Sequence, residues 1–300
     1  MKAFCRALET FLAAALALAL LSLTCGCGKP AGALGRYSGR VRVSGSTTLL
    51  PLIQEASIEF MDANPRTKVD VQGGGSSTGI TQLKSGIVNI ANSSRELKGD
   101  ETGWGLVDHR IAFDIIAIIV NPDVPVRNLT SNRVKAVFTG KVRNWKALGG
   151  PDEEIVVVVR DQASGTREMF DEKALGSTRD HPVESEPSAI ECSSNGVVRE
   201  TVANTRNSIG YLSYGFINRY VRALKVDDVP PDVGNSTTGR YPMARWLHMF
   251  TRGQPGGVAK GFIDFVLSDR FQNEVVSQEY IPVRDVLKKC AREAAGRQAS

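Results

Sequence analysis

The sequence predicts an α/β protein built on a parallel sheet, with enough chain for two lobes. Three observations lead there. Strand and helix patterns alternate from Val41 to Ala91. Two apolar, β-branched runs, Ile111 to Val120 and Ile155 to Val159, read as buried strands. Three loops join glycine to hydroxyl side chains, and each follows a β-branched run and precedes a helical pattern: Ser44-Gly45-Ser46-Thr47-Thr48, Gly73-Gly74-Gly75-Ser76-Ser77-Thr78-Gly79 and Arg160-Asp161-Gln162-Ala163-Ser164-Gly165-Thr166.

In order, Val41 to Ser44 is a short strand that runs into the first loop. Pro51 opens a helix with Leu52, Ile53, Ala56, Phe60 and Met61 at amphipathic spacing, and Asn64-Pro65 stops it. Thr67 to Val71 alternates as a strand and feeds the glycine loop. A helix begins at Ile80 and stops near Gly86, and Val88 to Ala91 is a third strand ending in Asn92-Ser93-Ser94-Arg95. Strand, helix, strand, helix, strand implies a parallel sheet with right-handed crossovers. Ligands bind such sheets at the carboxyl ends of the strands, where these loops fall.

Ile111 to Val120 is long enough to leave one lobe and enter another. Asn132 to Phe138 is a helix with Gly140 as its stop. Ile155 to Val159 delivers Arg160 and the third loop. Helices follow at Thr166 to Leu175 and Asn195 to Ala203, and a strand at Ile209 to Leu212. Asp227 to Tyr241, rich in Pro, Gly, Ser and Thr, reads as loop. Arg245 to Phe250 reads as a strand returning to the first lobe, and Lys260 to Val276 as one amphipathic helix. Trp104, Trp145 and Trp246 read as packing groups.

The start of the chain reads as an export signal. Lys2 and Arg6 form a basic region, and Phe11 to Leu23 is a thirteen-residue segment, apolar but for Ser22. That is too short to span a membrane and fits the apolar part of a signal peptide. Leu23-Thr24-Cys25-Gly26-Cys27-Gly28 resembles a bacterial lipobox, with Cys27 the better lipid acceptor because Gly26 precedes it. Thr24 departs from the leucine usual three residues before that cysteine. The expected division is therefore residues 1–26 as lipoprotein signal peptide and 27–40 as a Gly-, Ala- and Pro-rich tether. About 260 residues remain to fold, enough for two α/β lobes or one large domain.

Net charge is +5, and removal of residues 1–26 leaves it at about +4. The excess is scattered, without the basic cluster and interleaved aromatics of a nucleic-acid surface, so no nucleic-acid partner is expected. No CxxC pair occurs, and His109, His181 and His248 are far apart in sequence, so no metal or other cofactor is expected. An oxidised Cys192–Cys290 pair and two separate buried thiols both suit an exported protein.

The three loops carry the chemistry. Glycine and hydroxyl residues before a helix present backbone N–H groups and a helix N-terminus to an anion. Alone, each would read as a turn or a helix cap. Arg160 alone would read as a surface ion pair, yet its guanidinium fits a tetrahedral oxyanion as a planar fork. Three such loops in the same context favour one anion site assembled from several segments.

Gly45-Ser46-Thr47-Thr48 with Pro51, the Gln72-to-Gly79 loop, Ser93-Ser94, Arg160 with Ser164-Gly165-Thr166, and Ile209-Gly210-Tyr211 occur in one order. In these residues the chain resembles the phosphate-binding lipoproteins of high-affinity phosphate ABC importers, from about Val41 to Val283. The resemblance implies a type II periplasmic-binding-protein fold, with two α/β lobes of mixed sheets joined by a two-segment hinge. It places lobe I at 41–116 and 246–300, and lobe II at 117–245. It implies a non-catalytic, lipid-anchored monomer facing the periplasm or cell exterior, which takes inorganic phosphate to the transmembrane subunits of a permease. Around the ligand it implies the backbone and hydroxyls of Thr47, Thr48, Leu49 and Leu50, with Ser76, Ser94, Arg160, Ser164, Gly165 and Thr166.

Two positions depart from that family. Ser94 stands where its best-known members have an aspartate. That carboxylate accepts the proton of phosphate and so rejects sulfate, which brings none. Gln162 stands where those members hold the arginine with an aspartate. Asp161 is adjacent and a candidate to take that place, unless the loop is extended and turns its side chain to another side; Arg95 is a candidate to add positive charge beside Ser94. Other readings stay open. One keeps the fold and changes the ligand to sulfate, tungstate or molybdate; another makes the protein a sensor or adhesion lipoprotein without transport. Gly75-Ser76-Ser77-Thr78-Gly79 also matches the Gly-x-Ser-x-Gly elbow of a serine hydrolase, with Ser77 as nucleophile.

Overall fold

Strand β1 (Gly39–Gly45) pairs in parallel with β2 (Thr67–Gln72) on one side and β3 (Ile90–Ser93) on the other. Helix α1 (Leu50–Ala63) joins β1 to β2, and α2 (Ser76–Lys84) joins β2 to β3. This is the strand–helix alternation expected for 41–91. The computed structural model describes residues 35–288. The signal peptide, Cys25, Cys27, most of the tether and Cys290 lie outside the described residues, so the Cys192–Cys290 pairing does too.

Strand β4 (Leu106–Val120) is fifteen residues long and starts five residues before the apolar run. It is followed by α3 (Ser131–Phe138), β5 (Val156–Arg160), α4 (Gly165–Phe170), β6 (Ile190–Cys192), α5 (Asn195–Asn204) and β7 (Ser208–Ser213). The chain returns in β8 (Ala244–Arg252) and α6 (Gly257–Val266). The sheet order is β2-β1-β3-β8-β4-β7-β5-β6, and a short segment, Arg222–Ala223, also pairs with β4. Pairing is parallel within β2-β1-β3 and within β7-β5-β6. It is antiparallel where β8 and β4 link the two groups. The result is a mixed sheet with a parallel group at each end.

Two principal cores follow from this order. The first gathers Val41, Val43, Leu52, Ile53 and Phe60 with Phe262 and Phe271. The second gathers Ile116, Phe138, Trp145, Phe170, Tyr211 and Tyr241. Strand β4 serves both, giving Ile111 and Ala112 to the first and Ile115, Ile116 and Ile118 to the second. A segment buried along both cores is largely apolar, which accounts for the run from Ile111 to Val120, with Asp114 its one charged residue. Ile281 and Val286 pack in the second core, although they come from the C-terminal stretch expected in lobe I.

The structure departs from the sequence reading in particular places. The fold begins before Val41, inside the expected tether: Gly39 and Arg40 pair with Thr67 and Lys68, and the Tyr37 ring packs on Phe60 at 5.8 Å. The loop from Asp227 to Tyr241 contains one helical turn, Val233–Thr237, capped by Asp232. The helix expected over 260–276 breaks after Val266. Ser268 starts a new turn there, its hydroxyl accepting the Phe271 N–H and donating to the Phe265 carbonyl. The apolar period runs on through the break because both pieces face the same core, with Phe262, Ile263 and Val266 before it and Phe271, Val275 and Val276 after it.

The tryptophans are packing groups. Trp145 is fully buried and donates Nε1–H to the Asn207 carbonyl, Trp246 meets Phe113 edge-on, and Lys84 Nζ sits 3.7 Å from the centre of Trp104. Among the described residues no helix is long and apolar enough to cross a membrane.

Candidate functional site

The carboxyl ends of β1, β3 and β5 and the N-termini of α1, α2 and α4 converge. From the first core come Thr47 to Leu50, Ser76 and Ser94. From the second come Arg160, Ser164, Gly165 and Thr166. Pro51 in the first turn of α1 suits a position that needs no N–H. The approach at α2 is tight, because Gly79 lies under β1 and a Cβ there would be 2.5 Å from the Ser44 carbonyl oxygen.

Contacts between the groups are direct. Thr48 Oγ1 lies 3.1 Å from Thr166 Oγ1. The Ser94 N–H donates to Ser76 Oγ at 3.0 Å, and the two serine hydroxyls lie 3.3 Å apart. Gly165 faces this pair so closely that a Cβ would stand 2.4 Å from Ser76 Oγ. Just outside, the Ser77 N–H donates to the Ala163 carbonyl at 3.2 Å. Ser164 caps α4, its hydroxyl accepting the Arg167 N–H. Leu49 is buried at the start of α1, and Leu50 opens the helix. The first N–H groups of a helix have no partner within it.

Arg160 is the charged member, with 1% of its surface exposed. Its Nε donates to the Cys192 carbonyl, and Nη2 to the Ser193 carbonyl and to Thr47 Oγ1 at 3.2 Å. Its backbone N–H donates to the Tyr211 hydroxyl. Nη1 is buried and has no hydrogen-bond partner among the described residues. Burial presses its pKa down, and Asp161 opposes this. Asp161 does reach the guanidinium, with Oδ2 3.3 Å from Nη2, because its Oδ1 accepts the Ala163 N–H and curls the loop back. The loop is a turn rather than extended chain, so neighbouring side chains need not alternate. Gln162 is left exposed.

Arg95 does not add its charge beside Ser94. It forms a fork with Glu101 at 2.7 and 2.9 Å, and its Nε lies 2.9 Å from Glu168, which Lys98 also reaches at 2.7 Å. The cation is spent on these carboxylates. Ser77 Oγ, the nucleophile of the hydrolase reading, accepts a hydrogen bond from Arg95 Nη2. The nearest contacts of His109 and His248 lie elsewhere, on Thr251 and Asp108. The fold also groups residues whose spacing gave no metal signature. Glu96, Asp108 and His248 carry ligand atoms within 4.8 Å of one another, with the Arg110 guanidinium 3.6 Å from each carboxylate. Cys192 is buried, its Sγ 3.5 Å from Thr201 Oγ1.

The sequence reading missed a second arginine. Arg245 is buried and pairs with buried Asp114 at 2.8 Å. Burial lowers its pKa, and Asp114 opposes the shift. It donates to Thr48 Oγ1, to Thr166 Oγ1 and to the Ser94 carbonyl. Asn195 donates to Thr48 Oγ1 at 2.9 Å, and Tyr280 donates to the Thr48 carbonyl at 2.7 Å. One clue was available. Asp114 is a lone carboxylate inside an apolar run, and a buried charge demands a partner.

Arg167 braces the site from behind, donating to the Arg160 carbonyl at 2.8 Å and meeting Asp171 at 3.2 Å. Burial raises the Asp171 pKa from 3.8 to about 6, against the pull of Arg167. Its folded value therefore lies above the unfolded one. The contribution is present below about pH 4 and is lost as pH rises through about 6, a change of roughly 2–3 kcal/mol. Urea unfolding of wild type and Asp171→Asn across this range should show wild type losing stability relative to the variant as pH rises. Parallel pH profiles would contradict the raised pKa.

Comparison with known proteins agrees with this arrangement. A family model described as a PBP superfamily domain matches residues 31–270. The phosphate-binding protein PstS of Bacillus subtilis (strain 168) is 40% identical over 268 residues, covering 88% of this chain and 87% of that protein. The PstS of Borreliella burgdorferi is 30% identical over 251 residues, covering 81% and 90%. A crystal structure of a putative phosphate ABC transporter substrate-binding protein from Clostridium perfringens, with bound phosphate, superposes with a TM-score of 0.76 at 34% identity, covering 81% of this chain and 99% of that one. An ABC-type phosphate transport receptor from Vibrio cholerae gives 0.69 at 31% identity, covering 80% and 99%. The chain belongs to the PstS family of substrate-binding proteins within the PBP superfamily, and it has the two-lobe α/β fold of that family.

Proposed function

We propose that the protein captures inorganic phosphate between its lobes outside the cytoplasm and delivers it to an ABC permease, without catalysing a reaction. The observation that carries this is Arg160. A buried cation with a free donor is costly unless an acceptor meets it, and the free Nη1 belongs to a group of hydroxyls drawn from both cores. An oxyanion supplies that acceptor. Its other oxygens would take donors from Thr47, Ser76, Ser164 and Thr166, and from the backbone at Thr48, Leu49, Leu50 and Gly165. The names of the relatives support phosphate among the tetrahedral oxyanions.

The lobes would divide near 41–116 with 246–300, and 117–245, with Tyr37 to Arg40 joining the first and the stretch holding Ile281 and Val286 packing on the second, and would close on the ligand about β4 and β8. Ser94 brings no carboxylate. The acceptor for a protonated oxygen would then be a serine hydroxyl, which can also donate, so sulfate should be rejected less strongly than by an aspartate. The protein would work as a monomer held to a membrane by a lipid on Cys27.

Calorimetry with phosphate and sulfate tests the ligand. Wild type should bind phosphate, with sulfate competing measurably. Arg160→Ala should lose about 1.5–3 kcal/mol, roughly tenfold to a hundredfold, since a charge-assisted fork is removed. Phosphate binding within about twofold of wild type in that variant would remove Arg160 from the site, since a lost charged contact is worth more.

Mass spectrometry of the mature N-terminus tests the anchor. A diacylglyceryl-modified cysteine is expected at Cys27, and Cys27→Ser should release the protein from membranes while Cys25→Ser should not. An unmodified N-terminus at another residue would contradict the anchor.

A further inference from the structure

Two threonine hydroxyls at the site, Thr48 Oγ1 and Thr166 Oγ1, lie 3.1 Å apart and both face Arg245. Arg245 Nη2 donates to Thr166 Oγ1 at 3.0 Å and to Thr48 Oγ1 at 3.3 Å. Asn195 Nδ2 donates to Thr48 Oγ1 at 2.9 Å. The orientation of that amide is fixed, because Asn195 Oδ1 accepts the Ser213 backbone N–H at 3.2 Å, and a backbone N–H can only donate. Arginine likewise has no acceptor. Arg245 is itself held by Asp114 Oδ2, 3.1 Å from Nε and 2.8 Å from Nη2, while Asp114 Oδ1 accepts the Ser213 hydroxyl at 2.6 Å.

A hydroxyl oxygen has two lone pairs. On Thr48 Asn195 takes one. One Nη2 hydrogen of Arg245 is held by Asp114, and the other is shared between Thr166 at 3.0 Å and Thr48 at 3.3 Å. Both partners of Thr48 Oγ1 other than Thr166 are thus donors, so among the described residues the acceptor for its proton is Thr166 Oγ1, 3.1 Å away. Thr166 Oγ1 then receives from Thr48 and from Arg245, so both of its lone pairs are filled. Its own proton is left to point elsewhere.

We propose that Arg245 and Asn195 are positioning residues that set the direction of this hydroxyl chain, so that Thr166 presents a donor, and only a donor, to the bound anion. This rests on the oxyanion reading of the site. Thr48 then acts through Thr166 rather than by touching the ligand with its own hydroxyl. At this corner an unprotonated oxygen fits, and a protonated one would set two donors head to head. The proton of a monoanion is thereby confined to the Ser76–Ser94 side, where the hydroxyls can accept as well as donate.

The test is calorimetry on Thr48→Val, Thr166→Val and the double variant, with phosphate and sulfate, at pH values on both sides of the second ionisation of phosphate. Thr166→Val should weaken binding by about tenfold, the value of one hydrogen bond to a charged ligand. Adding Thr48→Val to it should change little further. Thr48→Val alone frees a lone pair on Thr166 without changing any charge. Phosphate affinity should then fall more steeply with rising pH than in wild type, and sulfate should lose more than phosphate does at low pH. Thr48→Ser, which keeps the hydroxyl, should restore the wild-type profile. Losses that multiply in the double variant would place Thr48 on the anion and overturn the relay, as would wild-type binding by Thr166→Val. If wild type binds neither anion, the oxyanion reading itself fails, an outcome distinct from both.

Discussion

A guanidinium that folding has taken out of water makes the greatest demand on this structure. Arg160 is 1% exposed at the end of β5. Removing such a cation from water costs several kcal/mol, which protein groups must repay. Here the repayment is incomplete by design of the backbone. The carbonyls of Cys192 and Ser193, the Thr47 hydroxyl and Asp161 take Nε and Nη2, and Nη1 is left over. Strand β6 leads into two of these acceptors. It runs beside β5 with Cys192 opposite Arg160, and its last residue and the next one aim carbonyls at the side chain. A ligand acceptor completes the set.

The second buried arginine works differently. Arg245 is neutralised by Asp114 on the neighbouring strand β4, so the pair adds little net charge near the ligand. What it adds is direction. Each hydrogen bond that it donates removes an acceptor from the hydroxyls around the ligand, and hydroxyls without acceptors become donors. Arg245 also reaches Ser94 and Thr48 on the first core and Thr166 on the second. It lies at the start of β8, beside the strand that both cores share. Charge at Arg160 and hydroxyl direction set by Arg245 are thus separate tasks, held by separate strands.

Much of the fold was legible because burial writes a period into a strand or helix. The alternation from 41 to 91, the run of β4 and the run of β5 each had one reading. The break after Val266 was hidden because both pieces face one core, so the period carries no trace of it. Strand β6 was hidden because three residues, two of them exposed, show no alternation. The loops with glycine and hydroxyl residues were legible together, because each alone reads as a turn or a helix cap and only their recurrence in one context points to a shared site. Asn195 and Arg245 were not. Nothing local distinguishes Asn195 from an ordinary first residue of a helix, and Arg245 gains its meaning from strands far away in sequence. Asp161 was left open for a geometric reason: its reach depends on whether the loop turns, and the loop does turn. Arg95 was credited with charge that Glu101 and Glu168 take up.

The most direct test of this account is a crystal structure of the protein with phosphate. The anion should lie within hydrogen-bond distance of Arg160 Nη1 and Thr166 Oγ1, with Ser76 and Ser94 on its other side and Thr48 Oγ1 still held by Asn195 and Arg245. An anion bound elsewhere, for example in the 830 Å³ cavity lined by Lys98, Arg167 and Arg179, with Arg160 Nη1 untouched, would contradict it.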